Sequence, residues 1–427
     1  MQKKREVAAI NSTIYPGALC GCCRAVQSKS YAHRHLICSA LSEGNTVLEL
    51  SSICDDVKAT LDCLSALGAS FNQNGNELLV KPISEKSKNA ELNCGESGST
   101  LRFLLPVAAA ISEKSSFIGT AGLKARPVLE LLEAMRANGA KISGNALPLE
   151  LCSGMRGGKY VLPGNISSQY VSGLLMALPL LNADSEISIE GRLESAPYVH
   201  ITIDTLKAYG VFIEQTDSSF YIKGKQKYKS PGRVTIEGDW SAAAILLTSG
   251  ALSGEVSVSG LNLSSAQGDR RIVELLERFG AELVCKKDTV TARKSRLFAC
   301  DIDAADTPDL FPALCIAACA AEGESRFAGI SRLRLKESDR LHSVSDLISA
   351  LGGRSELCGD RFSVFGSPLK GGRAECRGDH RVAMAAAIAA LICSGSTELL
   401  GSECVSKSYP AFFEDFAALG GAVSYNI

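Results

Sequence analysis

The segment that decides the fold is LDCLSALGAS, residues 61–70. Leu61, Leu64 and Leu67 recur at a helical period and Gly68 stands where helices commonly end, so the segment predicts the last turns of an amphipathic helix. The same pattern, apolar positions followed by a glycine, recurs along the chain about 70 residues apart. Its glycines are at positions 68, 139, 210, 280, 352 and 420. A nearly fixed period of this length predicts six copies of one supersecondary unit.

A second helix is predicted before each glycine-terminated helix. Its body is small and apolar, and it opens on polar residues. These openings are SKS at 28–30, ESGST at 96–100, SSQ at 167–169, GDWS at 238–241, TPD at 307–309 and DHR at 379–381. Strand-like segments such as GEVSVSG follow most of them, so each unit reads strand, helix, strand, helix, strand, strand. Helices so rich in Ala and Leu should be buried, and the second set should be more amphipathic.

The length of the chain predicts two domains, because 427 residues exceed what one core usually holds. Six units divide most simply into three plus three. One lobe would be residues 26–237, and the other would combine residues 1–25 with residues 238–427, closed by an N-terminal strand that pairs with the last unit. The chain would then cross between lobes twice at one place, which predicts a hinge with the cleft beside it.

Composition is typical of a soluble globular protein, with 46% apolar and 21% charged residues. A net charge of −1 gives no general field for nucleic acid. The start, MQKKREVAAINSTIYPG, lacks the continuous apolar run of a signal peptide, and the longest apolar run, residues 382–393, is too short to span a bilayer. We therefore expect a cytoplasmic protein without a membrane or nucleic-acid partner.

The cysteines point to a reducing compartment. Most of the 16 stand at apolar positions, such as Cys38, Cys63, Cys315 and Cys393, where a small hydrophobe would serve equally well. Cys20 and Cys23 form a CxxC pair, but no second pair follows at zinc-site spacing, so we read them as ordinary strand thiols. No structural metal is expected.

The six helix openings predict an anion site. Helix N-termini carry unpaired N–H groups and partial positive charge, and several of them facing one cleft would bind phosphates. For any single helix, an ordinary N-cap is the better interpretation of Ser, Thr or Asp. However, Lys29, Arg34, Arg102 and Arg381 lie at these positive ends. Because a cation is disfavoured there, its presence predicts a ligand with negative charge.

The stretch RLRLKESDR, residues 332–340, alternates cations with leucines. This pattern predicts a strand with one buried face that ends near Lys336. Ser338 would be the N-cap of the following helix, which would place Glu337 and Arg340 at a strand-to-helix turn, a favoured place for catalytic groups. The alternative is a solvated charged loop with surface salt bridges.

Five motifs together resemble those of the 5-enolpyruvylshikimate-3-phosphate synthases (3-phosphoshikimate 1-carboxyvinyltransferases). They are SKSYAHR at 28–34, GESGSTLR at 95–102, SSQY at 167–170, RLKESDR at 334–340 and DHRVAMA at 379–385. The resemblance runs from about Ala25 to Tyr409. It implies an α/β fold of two lobes, each with three βαβαββ units in an inside-out barrel with buried helices, and an active site in the interdomain cleft. The family's repeat number agrees with the six units found in the sequence.

The resemblance also implies two substrates and no cofactor. Contacts with shikimate 3-phosphate are implied for Lys29, Ser30, Arg34, Ser167, Ser168, Gln169, Ser195, Asp309 and Lys336. Contacts with phosphoenolpyruvate are implied for Lys29, Gly98, Arg126, Gln169, Arg340, Arg381 and Lys407. Two phosphates and two carboxylates require many cations, and the arginine fork can bind each of these groups through two parallel hydrogen bonds.

The implied reaction is an addition followed by an elimination. The shikimate 5-hydroxyl attacks C2 of phosphoenolpyruvate while C3 gains a proton. The tetrahedral intermediate then loses phosphate, and its C3 methyl group gives a proton back. Such chemistry needs a base and an acid. The resemblance assigns these roles to Asp309 and Glu337, with Lys29 stabilising charge, in an enzyme that acts as a monomer without metal.

Some positions depart from the family pattern. Glu96 and Arg332 stand where the family usually or often has Asn, and Val26-Gln27 replaces the usual Pro before SKS. Glu96 adds negative charge at the implied phosphoenolpyruvate turn and should weaken that affinity, whereas Arg332 is a further candidate contact for the shikimate phosphate.

Two other functions are considered. The related transferase that uses UDP-N-acetylglucosamine shares the repeats, but Asn follows its lysine where this chain has Ser30, and no cysteine here lies beside Arg126 to match its reactive loop cysteine. A non-catalytic sensor of anionic metabolites is the second alternative. Asp309 and Glu337 argue against it, because carboxylates among cations weaken anion binding unless they transfer protons.

Overall fold

The structure is a computed structural model that describes residues 11–50, 52–85 and 87–426. Residues 1–10, which include most of the segment weighed above as a signal peptide, lie outside this description. The chain divides into two compact units. We call residues 27–237 with 266–268 the first unit, and residues 1–26, 238–265 and 269–427 the second unit. Residues 266–268 thus group with the first unit, although the predicted boundaries place them in the other lobe.

Thirteen helices are formed by the described residues. They are α1 (Lys29–Leu41), α2 (Asp55–Ala66), α3 (Gly98–Ile111), α4 (Ala121–Lys124), α5 (Leu129–Ala137), α6 (Ser168–Ala177), α7 (Ala196–Ala208), α8 (Trp240–Ser253), α9 (Ile272–Arg278), α10 (Phe311–Ala320), α11 (Arg340–Ala350), α12 (His380–Ala390) and α13 (Phe412–Ala418). Short 3-10 turns cover Leu178–Leu180, Gly268–Arg271, Ser331–Leu335 and Ser402–Lys407. Within the described ranges, no helix is both long enough and apolar enough to cross a bilayer.

The strands are short and numerous. In the first unit they are β3 (Ser42–Glu43), β4 (Thr46–Glu49), β5 (Ser70–Asn74), β6 (Glu77–Lys81), β7 (Ala90–Asn93), β8 (Lys114–Ile118), β9 (Lys141–Ser143), β10 (Leu149–Cys152), β11 (Lys159–Pro163), β12 (Ser185–Glu190), β13 (Ile213–Gln215), β14 (Ser219–Ile222), β15 (Tyr228–Lys229) and β16 (Arg233–Thr235). In the second unit they are β1 (Asn11–Ile14), β2 (Cys20–Arg24), β17 (Glu255–Ser259), β18 (Glu282–Lys286), β19 (Thr289–Arg293), β20 (Asp301–Asp303), β21 (Glu324–Ala328), β22 (Arg354–Cys358), β23 (Arg361–Phe365), β24 (Gly372–Glu375), β25 (Thr397–Leu400) and β26 (Val423–Asn426).

Each predicted repeat forms its own four-stranded sheet. The orders are β16-β4-β6-β5, β7-β8-β10-β9, β11-β12-β14-β13, β2-β17-β19-β18, β20-β21-β23-β22 and β24-β25-β1-β26. In every case the first two strands are parallel, since a helix connects them in the standard unit, and the remaining pairs are antiparallel, as between β8 and β10. The predicted order of strand, helix, strand, helix, strand, strand is therefore confirmed.

Two sheets receive their first strand from a distant part of the chain. Strand β2 precedes α1 in sequence but pairs in parallel with β17, in the fourth repeat. It takes the place that the first strand of that repeat would occupy. Strand β16 precedes α8 but pairs in parallel with β4. Strand β1 lies between β25 and β26, which confirms the prediction that an N-terminal strand closes the last repeat.

The first helix of each repeat is buried inside its unit. Every residue of α8 and of α12 is buried, and in α10 only Ala320 is not. These helices pack against one another, as do α3 and α6 in the first unit. Helices at the centre and sheets outside them are the predicted inside-out arrangement, which lets Ala- and Leu-rich helices approach closely on all sides.

All six glycine-terminated helices end in the same way. In each, the glycine lies two residues beyond the last helical residue and has a positive φ, for example 110° at Gly68 and 80° at Gly352. The Gly68 N–H bonds to the Ser65 carbonyl and the Ala69 N–H to the Leu64 carbonyl, each at 3.0 Å, and equivalent pairs close the other five helices. These are Schellman motifs, in which glycine avoids the strain of the left-handed conformation.

Polar caps also recur at the starts of the buried helices. The side chains of Ser28, Ser97, Ser167, Asp239 and Asp379 each accept a backbone N–H from the first helical turn. Helix α10 has no side-chain cap of this kind. The ordinary N-cap interpretation is thus correct for five openings. A capping serine hydroxyl that accepts a backbone N–H still has its own proton, which it can donate to a ligand.

Candidate active site

Lys29 is the first cation after the cap of α1. Its ammonium donates to Asp56 Oδ2 at 2.8 Å, and Asp56 is buried at the start of α2. The carboxylate therefore fixes the direction of the lysine side chain and compensates part of its charge. Sequence reasoning missed Asp56, because an acidic residue in the first turn of a helix is common for reasons of the helix dipole alone.

Arg34 lies on α1, behind Lys29, with 2% of its surface exposed. Its Nε donates to Thr202 Oγ1 at 2.7 Å and its Nη2 to the Tyr198 carbonyl at 2.8 Å, while the guanidinium lies 4.8 Å from the centre of the Phe103 ring. Burial lowers the pKa of Arg34 to about 10. The structure thus uses this predicted substrate contact to join α1 to α7.

A chain of buried polar side chains connects three helices in the first unit. His33 Nδ1 and Thr60 Oγ1 are 2.7 Å apart, and Thr60 Oγ1 is 2.7 Å from Thr100 Oγ1, which donates in turn to Ser97 Oγ at 2.8 Å. Burial lowers the pKa of His33 to about 3, so the ring is neutral at physiological pH. The chain positions α1, α2 and α3 relative to one another and was not predicted from the sequence.

The start of α3 brings two guanidinium groups onto Gly98. A Cβ at this position would lie 2.8 Å from Arg126 Nη1 and 2.9 Å from Arg102 Nη1. Arg102 donates to Gln169 Oε1 at 2.7 Å, and Gln169 Nε2 donates to Ser99 Oγ at 2.9 Å. The predicted residues Gly98, Arg126 and Gln169 therefore form one cluster. Arg102 completes it, although it was considered only as a helix-start cation.

Glu96 does not project alone into this cluster. The Thr120 hydroxyl donates to its carboxylate, and the carboxylate lies beside Gly122. Thr120 is also the N-cap of α4. The negative charge of Glu96, which stands where the family usually has Asn, is therefore held at the neighbouring loop.

The predicted serines lie at the starts of two adjacent helices. Ser167 caps α6 and Ser168 is its first residue, whereas Ser195 immediately precedes α7. Ser195 is 1% exposed and has φ of 55°, a left-handed conformation that is uncommon for residues other than glycine. The N-terminal halves of α6 and α7 meet, since Thr202 donates to Ser172 and Arg34 donates to both Ser172 and Tyr198, and this brings the three serines to one end of the helix pair.

In the second unit, Arg340 is surrounded by three carboxylates. It contacts Asp379 Oδ2 at 2.9 Å, Asp309 Oδ1 at 2.6 Å and Glu337 Oε2 at 2.8 Å, and its own side chain is 1% exposed. A buried guanidinium requires such partners, since an uncompensated charge in the interior is costly. The arrangement fixes the two predicted proton-transfer groups, Asp309 and Glu337, on one cation.

Two more cations act on Asp309. Lys336 Nζ lies 3.9 Å from Oδ1 and Arg381 Nη2 lies 3.6 Å from Oδ2. Burial alone would raise the pKa of Asp309, but Arg340, Lys336 and Arg381 hold it well below its usual range. Burial also lowers the pKa of Lys336 to about 8, against the opposing effect of Asp309.

Arg381 has hydrogen-bonding capacity that its protein neighbours do not use. Its Nη2 lies 4.0 Å from Asp239 Oδ1 as well as near Asp309, but its Nε and Nη1 are buried without a hydrogen-bond partner among the described residues. A buried charged donor left in this state costs about 1–3 kcal/mol. Lys407 ends the 3-10 turn that packs against α12, the helix that carries Arg381.

The segment before α11 corrects two predictions. Residues Ser331–Leu335 form a 3-10 turn rather than a strand, and Leu335 is 39% exposed, which a strand with one buried face would not allow. The N-cap of α11 is Asp339 rather than Ser338. The Ser338 hydroxyl instead donates at 3.2 Å to Oδ2 of Asp379, a residue distant in sequence. Arg332 is buried within this turn.

Comparison with known proteins decides the family. The family model of EPSP synthase (3-phosphoshikimate 1-carboxyvinyltransferase) matches residues 15–416. The chain belongs to the EPSP synthase family. The 3-phosphoshikimate 1-carboxyvinyltransferase of Clostridium acetobutylicum is 40% identical over 96% of this chain and 97% of its own length. That of Methanocorpusculum labreanum is 36% identical over 94% of this chain and 96% of its own length.

Solved structures agree with this membership. An EPSP synthase from Acinetobacter baumannii is 25% identical, has a TM-score of 0.82, and is matched over 98% of this chain and 100% of that one. The enolpyruvyl transferase NikO from Streptomyces tendae has a TM-score of 0.81 at 19% identity, over 98% of this chain and 99% of that one, which shows a shared fold. The predicted fold class is thereby confirmed, and an EPSP synthase is favoured over the transferase that uses UDP-N-acetylglucosamine.

Proposed function

We propose that the protein transfers the enolpyruvyl group of phosphoenolpyruvate to the 5-hydroxyl of shikimate 3-phosphate and releases phosphate. The observation that carries this proposal is the buried cluster in which Arg340 joins Asp309 and Glu337, found in a member of the EPSP synthase family. We expect the enzyme to act as a cytoplasmic monomer, without metal or organic cofactor.

Shikimate 3-phosphate is assigned mainly to the first unit. Ser167, Ser168 and Ser195, at adjacent helix starts, would donate to its phosphate, since the N–H and hydroxyl groups at a helix start suit an anion. Lys29 and Ser30 would bind at the start of α1, with Arg34 holding that helix in place. From the second unit, Asp309 and Lys336 would contact the ring hydroxyls.

Phosphoenolpyruvate is assigned to two sets of cations. Arg126, beside Gly98 and Gln169, would bind its phosphate together with Lys29. Arg340, Arg381 and Lys407 would bind its carboxylate. The buried Nε and Nη1 of Arg381 support this role, because a carboxylate would give them the charged acceptors that the described protein groups do not.

The first step forms a bond between the shikimate 5-oxygen and C2 of phosphoenolpyruvate. Asp309 accepts the hydroxyl proton, and Glu337 delivers a proton to C3. Asp309 is a weak base while Arg340, Lys336 and Arg381 all act on it. Anionic substrates that engage these cations reduce their hold on the carboxylate, so the basicity of Asp309 should increase only when both substrates are bound.

The second step breaks the bond between C2 and the phosphate oxygen. A proton leaves the C3 methyl group for the Glu337 carboxylate, which regenerates the acid, and the double bond forms again. Inorganic phosphate departs with its electron pair and takes up the proton held by Asp309. Lys29 would stabilise the negative charge that develops, and Asp56, which accepts from its ammonium, would keep it in one direction. No net proton is retained on C3 at the end of the reaction.

Phosphate release tests the proposal directly. Purified protein is mixed with phosphoenolpyruvate and either shikimate 3-phosphate or UDP-N-acetylglucosamine. We expect release of one phosphate per enolpyruvyl product with shikimate 3-phosphate alone. Turnover only with UDP-N-acetylglucosamine would show that the nucleotide sugar, and not shikimate 3-phosphate, is the acceptor. Tight binding of both ligands without phosphate release would support the non-catalytic alternative.

A further inference from the structure

Asp269 is an ionisable side chain to which the proposed reaction assigns no role. It lies in the 3-10 turn Gly268–Arg271, with 2% of its surface exposed. The Ser241 hydroxyl donates to Oδ2, while Oδ1 is buried without a hydrogen-bond partner in the described part of the chain. A carboxylate in this setting lacks most of the donors that usually stabilise its charge.

Its charged neighbours belong to the candidate site. Asp239, at the cap of α8, and Asp309 both repel the Asp269 charge, whereas Arg381 attracts it. Arg381 is also the ion-pair partner of Asp239 and Asp309. Three carboxyl groups from three separate segments therefore act on one guanidinium.

The electrostatics favour a proton on Asp269. Burial of the carboxyl is the largest cause that raises the pKa of Asp269 to about 7, and the negative charges of Asp309 and Asp239 act in the same direction. The Ser241 hydrogen bond and the positive charge of Arg381 oppose this shift. The carboxyl is thus poised between its two states near neutral pH, and a further negative charge at Arg381 would favour the protonated form.

We infer that Asp269 is a positioning residue that takes up a proton when phosphoenolpyruvate binds to Arg381. The inference rests on the proposed assignment of phosphoenolpyruvate. A charged Asp269 would repel the ligand carboxylate at Arg381, whereas a neutral Asp269 would not oppose its binding to Nε and Nη1 of Arg381. The proton therefore acts as a counter-charge that accompanies the substrate.

A measurement on the ligand-free protein tests the protonation itself. The native pKa of about 7 exceeds the unfolded value of about 3.9, so the native state is stabilised by the proton at low pH and loses this contribution as pH rises through 7. Asp269→Asn removes the titration, and Asp204→Asn, at an exposed position on α7, is the matched control. We expect Tm of Asp269→Asn relative to wild type to increase by at least about 3 °C between about pH 5 and about pH 8.5. No such increase would overturn the inference.

A second measurement tests the link to the ligand. Calorimetric titration of phosphoenolpyruvate into protein saturated with shikimate 3-phosphate, in buffers of different ionisation enthalpy, gives the number of protons bound. At pH 7 wild type should take up about half a proton more than Asp269→Asn, because about half of its Asp269 side chains are charged before binding. Equal proton numbers would overturn the inference.

The two measurements separate the inference from the proposed function. If the Tm difference is found but phosphoenolpyruvate does not bind to wild type, the assigned substrate is wrong. The inference that ligand binding protonates Asp269 then fails, and only the protonation of the ligand-free protein stands. If Asp269→Asn does not fold, infrared difference spectra of wild type with and without phosphoenolpyruvate replace it. A gain of protonated carboxyl absorption is expected at pH 7, and its absence would overturn the inference.

Discussion

At the scale of single residues, the candidate site consists of charges that constrain one another. Arg340 is held by three acids, Asp309 by three cations, and Lys29 by Asp56. Surface ion pairs contribute little, but a buried network fixes geometry and shifts proton affinities together. Substitutions in it should therefore affect proton transfer and orientation more than fold.

Replacement of Glu337 by Gln tests its role as the acid. The amide keeps the shape and can still accept from Arg340, while Asp309 and Asp379 remain to hold that guanidinium. We expect turnover to fall roughly 100- to 10,000-fold with nearly unchanged binding of both substrates. Steady-state kinetics and calorimetry measure this, with the exposed Glu356→Gln as control. Near-normal turnover would remove Glu337 from the chemistry.

Replacement of Gly98 by Ala tests the assignment of Arg126. The added methyl group would lie 2.8 Å from Arg126 Nη1, so the guanidinium has to move. We expect KM for phosphoenolpyruvate to rise while the affinity for shikimate 3-phosphate is retained. Gly17→Ala is the control, since a Cβ there meets nothing within 4 Å. Equal weakening of both substrates would show that this cluster does not serve phosphoenolpyruvate alone.

At the scale of secondary-structure elements, the repeated glycine ends are the most regular feature. Each depends on local geometry alone: a helix, a cap and a left-handed glycine. Such an end contributes to stability wherever it occurs, and it is remote from the charged clusters. Its loss should therefore change the stability of the protein without changing its kinetics.

Replacement of Gly68 by Ala tests this separation. Gly68 has φ of 110°, and its Cβ would make only ordinary contacts, the nearest at 3.6 Å, so the cost is that of the backbone conformation. We expect the free energy of unfolding to fall by about 1–2 kcal/mol, seen as a lower urea midpoint, with unchanged KM values. A change in KM without a change in midpoint would contradict this account.

The sequence predicts such elements well because their signals are local. The glycine ends, the polar caps and the buried Ala-rich helices each need only a few neighbouring residues. The 3-10 turn at Ser331–Leu335 was mistaken for a strand because alternation of charge and leucine fits both structures, and only tertiary packing exposes Leu335. Ser338 was predicted as the cap of α11, but Asp339 caps the helix, and the Ser338 hydroxyl donates to Asp379, a residue distant in sequence.

The residues of the candidate site were predicted mainly from family motifs. Asp56, the chain from His33 to Ser97, and Asp269 carry no comparable local signal, since buried Asp, Thr and His occur in many helices for structural reasons. Their importance comes from partners that lie far away in sequence, such as Lys29 for Asp56 and Ser241 for Asp269. Only the assembled structure brings these pairs together.

At the scale of the whole molecule, the repeat order is permuted relative to the chain. Strand β1 lies antiparallel to β26, with Asn11 opposite Asn426. The two ends of the described chain therefore meet in one sheet, and a short loop could join them as in a hairpin.

A circular permutant tests this arrangement. In it the chain begins at Gln27, and residues 11–26 follow residue 426 through a short glycine-containing linker. Because β1 and β2 keep all their partners, we expect the permutant to fold with a Tm close to wild type and to release phosphate from the same substrates. A chain with residues 11–26 deleted is the control and should lose stability. Failure of the permutant alone would mean that the chain segment between β2 and α1 is required to be continuous.

The displaced strands also bear on how the protein emerges from the ribosome. Strand β2 is synthesised before the first unit, but its partner β17 appears more than 200 residues later. At about 5–20 residues per second, β2 waits roughly 10 to 50 s for that partner. Strand β1 waits longer still, for β25 and β26. Throughout this interval the nascent chain carries an unpaired segment with Cys20, Cys22 and Cys23. The first unit must therefore fold while this thiol-bearing segment has no partner strand.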